Sequence, residues 1–260
     1  MLITYHGHSE FYLESASGFS LLTDPYDSHV GYPMKHWRAD GVTVSHAHGD
    51  HNEISKASGT PAIVDSEGVW MLAPEVRVTA IPSFHDEVQG QKRGRNLIMR
   101  IEMDGLTVAH LGDLGEMITP AQLSALGRVD ILMLPVGGHY TIDAETAKAV
   151  ADAVQPRIVI PMHYKTAVNQ DWPIAGPEPF LQLMGAQSAA PMPLLRVTRG
   201  HTSGPRPGRD AFSKLHRRQN SCRLKLTHTM NLCQLLRRTV CKLRKTAAAL
   251  HKYLFRKTDR

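Results

Sequence analysis

Four side chains able to bind a metal fall within six residues, as His46-x-His48-x-Asp50-His51. With 15 His and 14 Asp in 260 residues, accident yields that pattern in on the order of 0.3% of such chains. The four are therefore read as one unit. They follow the β-branched run Val42-Thr43-Val44 and precede a polar segment able to begin a helix. Residues two apart on a strand project to the same side, so His46 and His48 are expected to reach one ion. A turn at Gly49 then aims Asp50 and His51 at a second. Imidazole nitrogen and carboxylate oxygen suit borderline-soft divalent ions, zinc first among them, with manganese or iron as alternatives.

Three more residues of the same kind stand where apolar strands are expected to end: His85, Asp113 and His163. The pattern before the first motif predicts strands at 2–5, 11–13 and 19–22, closed by Thr23-Asp24-Pro25. Residues 26–40 form a long loop, either a surface loop or a wall over the site. Beyond the motif come a strand at 62–64, a helix over 67–72, a strand at 76–81 and a mobile polar loop at 87–95. A hairpin pairs 97–103 with 106–111 across Asp104-Gly105. Thr119-Pro120 opens a helix that Gly127 stops, and Asp143 caps a second that Pro156 ends. Strands at 131–134, 157–160 and 194–197 and a helix at 178–184 complete a β-rich chain with interspersed helices. Ends of apolar strands are where α/β folds build their sites.

Seven ligands (His46, His48, Asp50, His51, His85, Asp113, His163) suit two ions with three or four protein groups each. A shared carboxylate would hold the pair roughly 3.5–4 Å apart, and water bridging two cations loses its proton near neutral pH. The expected chemistry is attack of that hydroxide on a carbonyl or phosphoryl centre. Ser45 and Ser83 adjoin ligands, but no Gly-x-Ser-x-Gly elbow exists to make a serine nucleophile. Asp50, Asp113 and His139 are the candidate catalytic residues, His139 as a group that binds substrate or protonates the leaving group. Asp24 is a candidate to orient a ligand histidine, and His8 to orient a ligand or face substrate. His110, with apolar strand neighbours, reads as structural.

The chain resembles the metallo-β-lactamase superfamily, whose signature is His-x-His-x-Asp-His with a later His, Asp and His. Its compact ascorbate-6-phosphate lactonase-like branch shares Gly7-His8-Ser9-x-Phe11, Leu22-Thr23-Asp24-Pro25, Gly112-Asp113 and the Pro-x-Gly-Gly run at 135–138. The resemblance covers residues 1 to about 200. It implies an αββα four-layer sandwich with the site at one edge of two sheets. It implies His46, His48 and His85 on one ion, Asp50, His51 and His163 on the other, and Asp113 between them. Members with Glu at the second His commonly hold a redox di-iron centre; His48 here favours zinc hydrolysis of a small ester, lactone, amide or phosphoester.

Charge divides the chain at the same place. Residues 1–200 hold 14 Lys+Arg against 22 Asp+Glu, whereas 201–260 hold 16 against 2 and all three cysteines. A disulfide framework is excluded for the first part. Its acidity argues against a polyanionic substrate steered by net charge, although Lys92, Arg93 and Arg95 are local positives. Two parts are expected: a hydrolase domain at 1–200, and at 201–260 a basic linker and amphipathic helical tail, partly disordered. Leu236, Val240, Leu243, Ala247, Leu250 and Leu254 recur at helical steps among Arg and Lys. That stripe suits nucleic acid or an anionic surface, a solvated helix, or a recent or frame-altered extension. A rival reading is thus a nucleic-acid-binding protein or a metal-dependent nuclease. The 33 residues between His51 and His85 and the 49 between Asp113 and His163 leave no room for a large inserted nuclease domain. With no signal-like start and no long apolar run, a cytoplasmic protein is expected, acting on a small molecule as a homo-oligomer.

Overall fold

The computed structural model describes residues 1–202; the expectations for the basic tail lie outside the described residues. Fourteen strands are formed among them: β1 (Leu2–Gly7), β2 (Glu10–Glu14), β3 (Ser20–Thr23), β4 (Trp37–Arg38), β5 (Gly41–Thr43), β6 (Ala57–Ser58) and β7 (Ala62–Val64), then β8 (Gly68–Ala73), β9 (Val76–Phe84), β10 (Arg95–Met103), β11 (Leu106–His110), β12 (Ile131–Pro135), β13 (Ile158–Met162) and β14 (Leu194–Arg196). Two six-stranded sheets result, ordered β14-β1-β2-β3-β5-β7 and β13-β12-β11-β10-β9-β8, with β4 and β6 as a small ribbon. Phe11, Leu13 and Leu21 of the first sheet pack with Val78, Met99, Ile101 and Met133 of the second in one buried cluster. The expected sandwich is present.

Its outer layers are unequal. Parallel neighbours need crossovers, and β11, β12 and β13 are parallel. Helix α1 (Pro120–Leu126) and helix α2 (Ala144–Val154) supply them. Thr119 and Gln122 close a capping box on α1, and Asp143 Oδ1 accepts from Thr146 N at 2.8 Å on α2. Ala144, Ala147, Val150, Ala151 and Val154 recur at helical spacing, and all are buried. With Leu126 and with Phe180 of α3 (Glu178–Leu183), they cover Leu132, Leu134 and Ile98. The first sheet's outer face is covered instead by short pieces. Trp37, Ile54 and Ala57 pack on Leu22, Val42 and Val44.

Local signals in the chain account for most of this. Asp104 (φ 56) and Gly105 (φ 66) both adopt the left-handed conformation that a tight hairpin turn requires. The helix expected over 67–72 is not formed, because the segment pairs as β8 along the edge of β9. Val69 and Met71 are 65% and 61% exposed while Trp70 and Leu72 pack on the core, so its true period is two. Among the described residues, no helix is long and apolar enough to cross a membrane.

Candidate metal centre

Strand direction decides where the chemistry sits. β1, β3 and β5 run parallel through their antiparallel or direct partners, as do β9, β11, β12 and β13. The residues just past these seven strands therefore emerge at one edge. They are His8 after β1, Asp24 after β3, the 45–51 segment after β5, His85 after β9, Asp113 after β11, the 136–140 turn after β12 and His163 after β13. His46 and His48 do not share a strand face as expected. β5 ends at Thr43, and bends and turns carry 46–51, with His51 N donating to His48 O at 3.0 Å. The 45–51 segment is held by its neighbours: a Cβ at Gly49 would lie 2.4 Å from Asp27 Oδ2.

The Asp113 carboxylate is the hub. Its Oδ2 lies 3.2 Å from His85 Nε2, 3.2 Å from His163 Nε2 and 3.9 Å from His46 Nε2, and its Oδ1 lies 3.2 Å from His51 Nε2. Asp50 Oδ2 is 3.6 Å from His51 Nε2 and 3.2 Å from His8 Nε2. Three ligand groupings converge within 4.8 Å: His46, His48 and His85; His8, Asp50, His51 and His163; and His46, His51 and Asp113. All seven sequence-derived ligands are thus brought together, and His8 joins them.

The donor set fits divalent cations. His46 Nε2, His51 Nε2 and Asp113 Oδ1 are buried with no hydrogen-bond partner, a state that costs free energy unless something else satisfies the atoms. Burial, helped by the charge of His51, pushes His46 down to about 3, so at neutral pH it offers a lone pair. Burial also lowers His48, with His85 adding to the effect. For His51 burial opposes the proton, but the Asp113 and Asp50 carboxylates outweigh it and raise its affinity for one. Burial pushes Asp113 up, and His163 and His51 overcome that, holding it well below the usual range. The cluster satisfies Asp113 only by charging a buried histidine. A divalent cation supplies positive charge to all of these lone pairs at once.

A buried relay fixes which nitrogens face inward. Asp24, at φ 41, accepts from Ser45 N at 2.8 Å, Ser45 Oγ at 2.6 Å and His51 Nδ1 at 2.8 Å. Ser45 gives its one hydroxyl proton to Asp24, so it accepts from His46 Nδ1 at 2.9 Å. The Nε2 atoms of His46 and His51 are left as the lone pairs toward Asp113. Asn96 anchors the backbone of the hub: its Oδ1 accepts from Asp113 N at 3.0 Å, and its Nδ2 donates to Leu111 O at 2.9 Å and Ser83 Oγ at 2.7 Å. A Cβ on Gly112 (φ 53) would lie 2.4 Å from Asn96 Oδ1. Ser45 and Asn96 escape sequence reading because an uncharged polar residue gives no signal until its neighbours are known. His110 is buried, with Nε2 donating to Ser9 O at 2.9 Å and Nδ1 accepting from Gly112 N at 3.2 Å, a structural role as expected.

Of the two roles open to His8, its place fits orienting a ligand: it is buried against Asp50 and His163, and burial, reinforced by His163, takes it down to about 4. His139 is exposed and does not line the cavity over the centre. Gly138 (φ 66) and His139 (φ 59) turn the chain so that Tyr140 lines it instead. That cavity holds about 550 Å³, with His48, Asp50, His85, Asp113 and His163 at its base and Asp27, His29, Arg93, Tyr140, Asp171 and Trp172 among its walls. The loop at 26–40 is therefore partly a wall. The 87–95 loop is tied rather than loose: Asp86 accepts from the amides of Val88, Gly90, Lys92 and Arg93 at 2.7–2.9 Å.

Comparison with known proteins agrees with this geometry. The β-lactamase superfamily domain family matches residues 2–163. A UPF0173 metal-dependent hydrolase of Pyrococcus furiosus is 30% identical over 220 residues, covering 72% of this chain and 93% of that protein. Another from Thermoplasma acidophilum is 32% identical, covering 70% of this chain and 90% of that one. A candidate zinc-dependent hydrolase of the metallo-β-lactamase superfamily from Thermotoga maritima superposes with a TM-score of 0.61 at 34% identity, over 75% of this chain and 91% of that one. The chain belongs to the metallo-β-lactamase superfamily, as one of its metal-dependent hydrolases.

Proposed function

We propose that the centre holds two zinc ions and that the enzyme hydrolyses an ester, lactone, amide or phosphoester bond of a small molecule. The observation that carries this is the Asp113 carboxylate, met by four imidazole nitrogens at 3.2–3.9 Å from three separate segments. His46, His48 and His85 would hold one ion, Asp50, His51 and His163 the other, with Asp113 common to both. Bound there, two divalent ions supply Lewis acidity and bring the pKa of water near neutral. The nitrogen-rich donor set, with His48 where a carboxylate would favour iron, supports zinc.

The chain's own residues supply the rest. Asp24 and Ser45 keep His51 and His46 in the tautomers that point Nε2 inward. His8 holds Asp50 in place through the 3.2 Å contact. Trp172, with its ring 5.4 Å from His8 and 6.1 Å from Tyr140, gives the cavity an aromatic wall beside the reacting bond. A volume of about 550 Å³ suits a small molecule.

Metal analysis of the purified full chain, coupled to a panel of esters, lactones, amides and phosphodiesters, is the test. Two zinc equivalents per chain, turnover abolished by chelation and restored by zinc are expected. One equivalent, or turnover that survives complete metal removal, would overturn the reading.

A further inference from the structure

We propose that Arg93 selects the substrate by receiving a carboxylate or phosphate that the substrate carries away from the bond that breaks. The proposal rests on the cavity being the substrate site and names the class of molecule that enters it. Arg93 is the one Lys or Arg among the cavity's lining residues. Of its neighbouring cations, Lys92 pairs with Glu87, and Arg95 does not line the cavity. Arg93 has no carboxylate within ion-pair distance among the described residues. Its NH2 group donates to His139 O at 3.1 Å, which leaves most of the five guanidinium donors unspent. An unpaired, half-buried guanidinium on a cavity wall is a ready partner for a planar or tetrahedral anion.

The position of that charge is fixed relative to the centre. The Asp86 carboxylate, one residue past His85, accepts the Arg93 amide at 2.7 Å and the Lys92 amide at 2.9 Å. The same carboxylate accepts from Val88 N at 2.9 Å and Gly90 N at 2.8 Å. The loop is thereby closed on itself, and Arg93 is held against the segment that carries a ligand histidine. Its guanidinium carbon lies 5.7 Å from the centre of the Tyr140 ring, which restrains the side chain from one side. Asp27 and Asp171 also line the cavity, without pairing to Arg93. An anionic substrate is then oriented as well as attracted: its acidic end turns to Arg93 and away from the carboxylates.

The test is equilibrium binding by calorimetry to the metal-loaded full chain. The probes are dicarboxylates from succinate to pimelate, ω-phosphonocarboxylates of matching length and the monocarboxylates that lack the second anion. At one chain length a dianion is expected to bind about 10- to 100-fold tighter than its monocarboxylate. Arg93→Gln should erase that advantage, and Arg93→Lys should keep part of it; Arg93→Met serves the same comparison if the Gln variant does not fold. Whichever of the carboxylate and phosphonate series gains identifies the anion. No gain at any length for either series, or a gain that survives Arg93→Gln, overturns the proposal. Because the readout is binding, failure to turn over any ester would sink the hydrolytic reading and leave this one standing.

Discussion

Among the described residues, two buried clusters of histidine and acid have opposite fates. Around Glu10 the charges close on themselves: Lys56 Nζ donates to Glu10 Oε2 and lies 3.2 Å over the Tyr26 ring, and His6 Nδ1 meets Glu10 Oε1 at 2.7 Å. Tyr26 N adds a bond to the same carboxylate at 3.3 Å, and His6 stacks 4.2 Å from Trp37. Around Asp113 no lysine or arginine of the described residues forms an ion pair, and His46 Nε2, His51 Nε2 and Asp113 Oδ1 find no hydrogen bond. In the Glu10 cluster, only His6 Nε2 is left in that state. A buried carboxylate answered by a lysine is architecture. One surrounded by imidazoles that also lack partners is a place built for a cation from outside.

Asp113→Asn should break the open cluster most severely. Loss of metal and a fall in kcat/KM of about 10³-fold are expected from losing several kcal/mol of charge stabilisation; bound metal and kinetics measured on one preparation check it. Lys56→Met should break the closed cluster in a different way. An unanswered buried carboxylate costs about 3–5 kcal/mol of stability, seen as a lowered denaturation midpoint with metal stoichiometry unchanged in the protein that remains folded. Metal loss from a well-folded Lys56→Met chain would erase the distinction between the clusters.

Asp24→Asn sits between these extremes. It loses the charge that orders Ser45 and His51, and a fall of about 10- to 100-fold in metal affinity is expected, read by competition with a chromogenic chelator. The smallest effect lies outside both clusters. Arg77, and then Arg100, holds Glu102 down to about 2 against its ordinary 4.5. Because the folded value is the lower one, that stability is complete above about 4.5 and is lost as pH falls toward 2. Glu102→Gln should lower stability at neutral pH by less than about 1 kcal/mol, flatten the acid limb so that the two curves converge as pH falls toward 2, and leave metal binding alone.

Side-chain types that announce themselves made much of the centre legible. His46, His48, Asp50, His51, His85, Asp113 and His163 stand out by type and by their place after apolar runs, and all seven meet. The capping residues Thr119 and Asp143 likewise declare their helices locally. The misread helix at 67–72 shows the limit. Val69 and Met71 are apolar yet exposed, so an edge strand with two apolar faces carries no clean period for the sequence to display. His139 shows another, since a single turn of backbone at positive φ exchanges which of two adjacent aromatic rings enters the cavity.

The sequence by itself determined which atoms are available: five imidazoles and two carboxylates at strand ends, a set whose chemistry depends only on residue type. Only the tertiary structure decided how they are used. Parallel strands in each of the two sheets gather their ends at the site, Asp24 and Ser45 choose which lone pairs face inward, Asn96 anchors the Asp113 backbone, and Arg93 is left without a carboxylate partner among the described residues. The reason is physical. Ligand identity is a property of a side chain, whereas direction, tautomer and charge balance are properties of its neighbours, and those neighbours come from segments far apart in the chain.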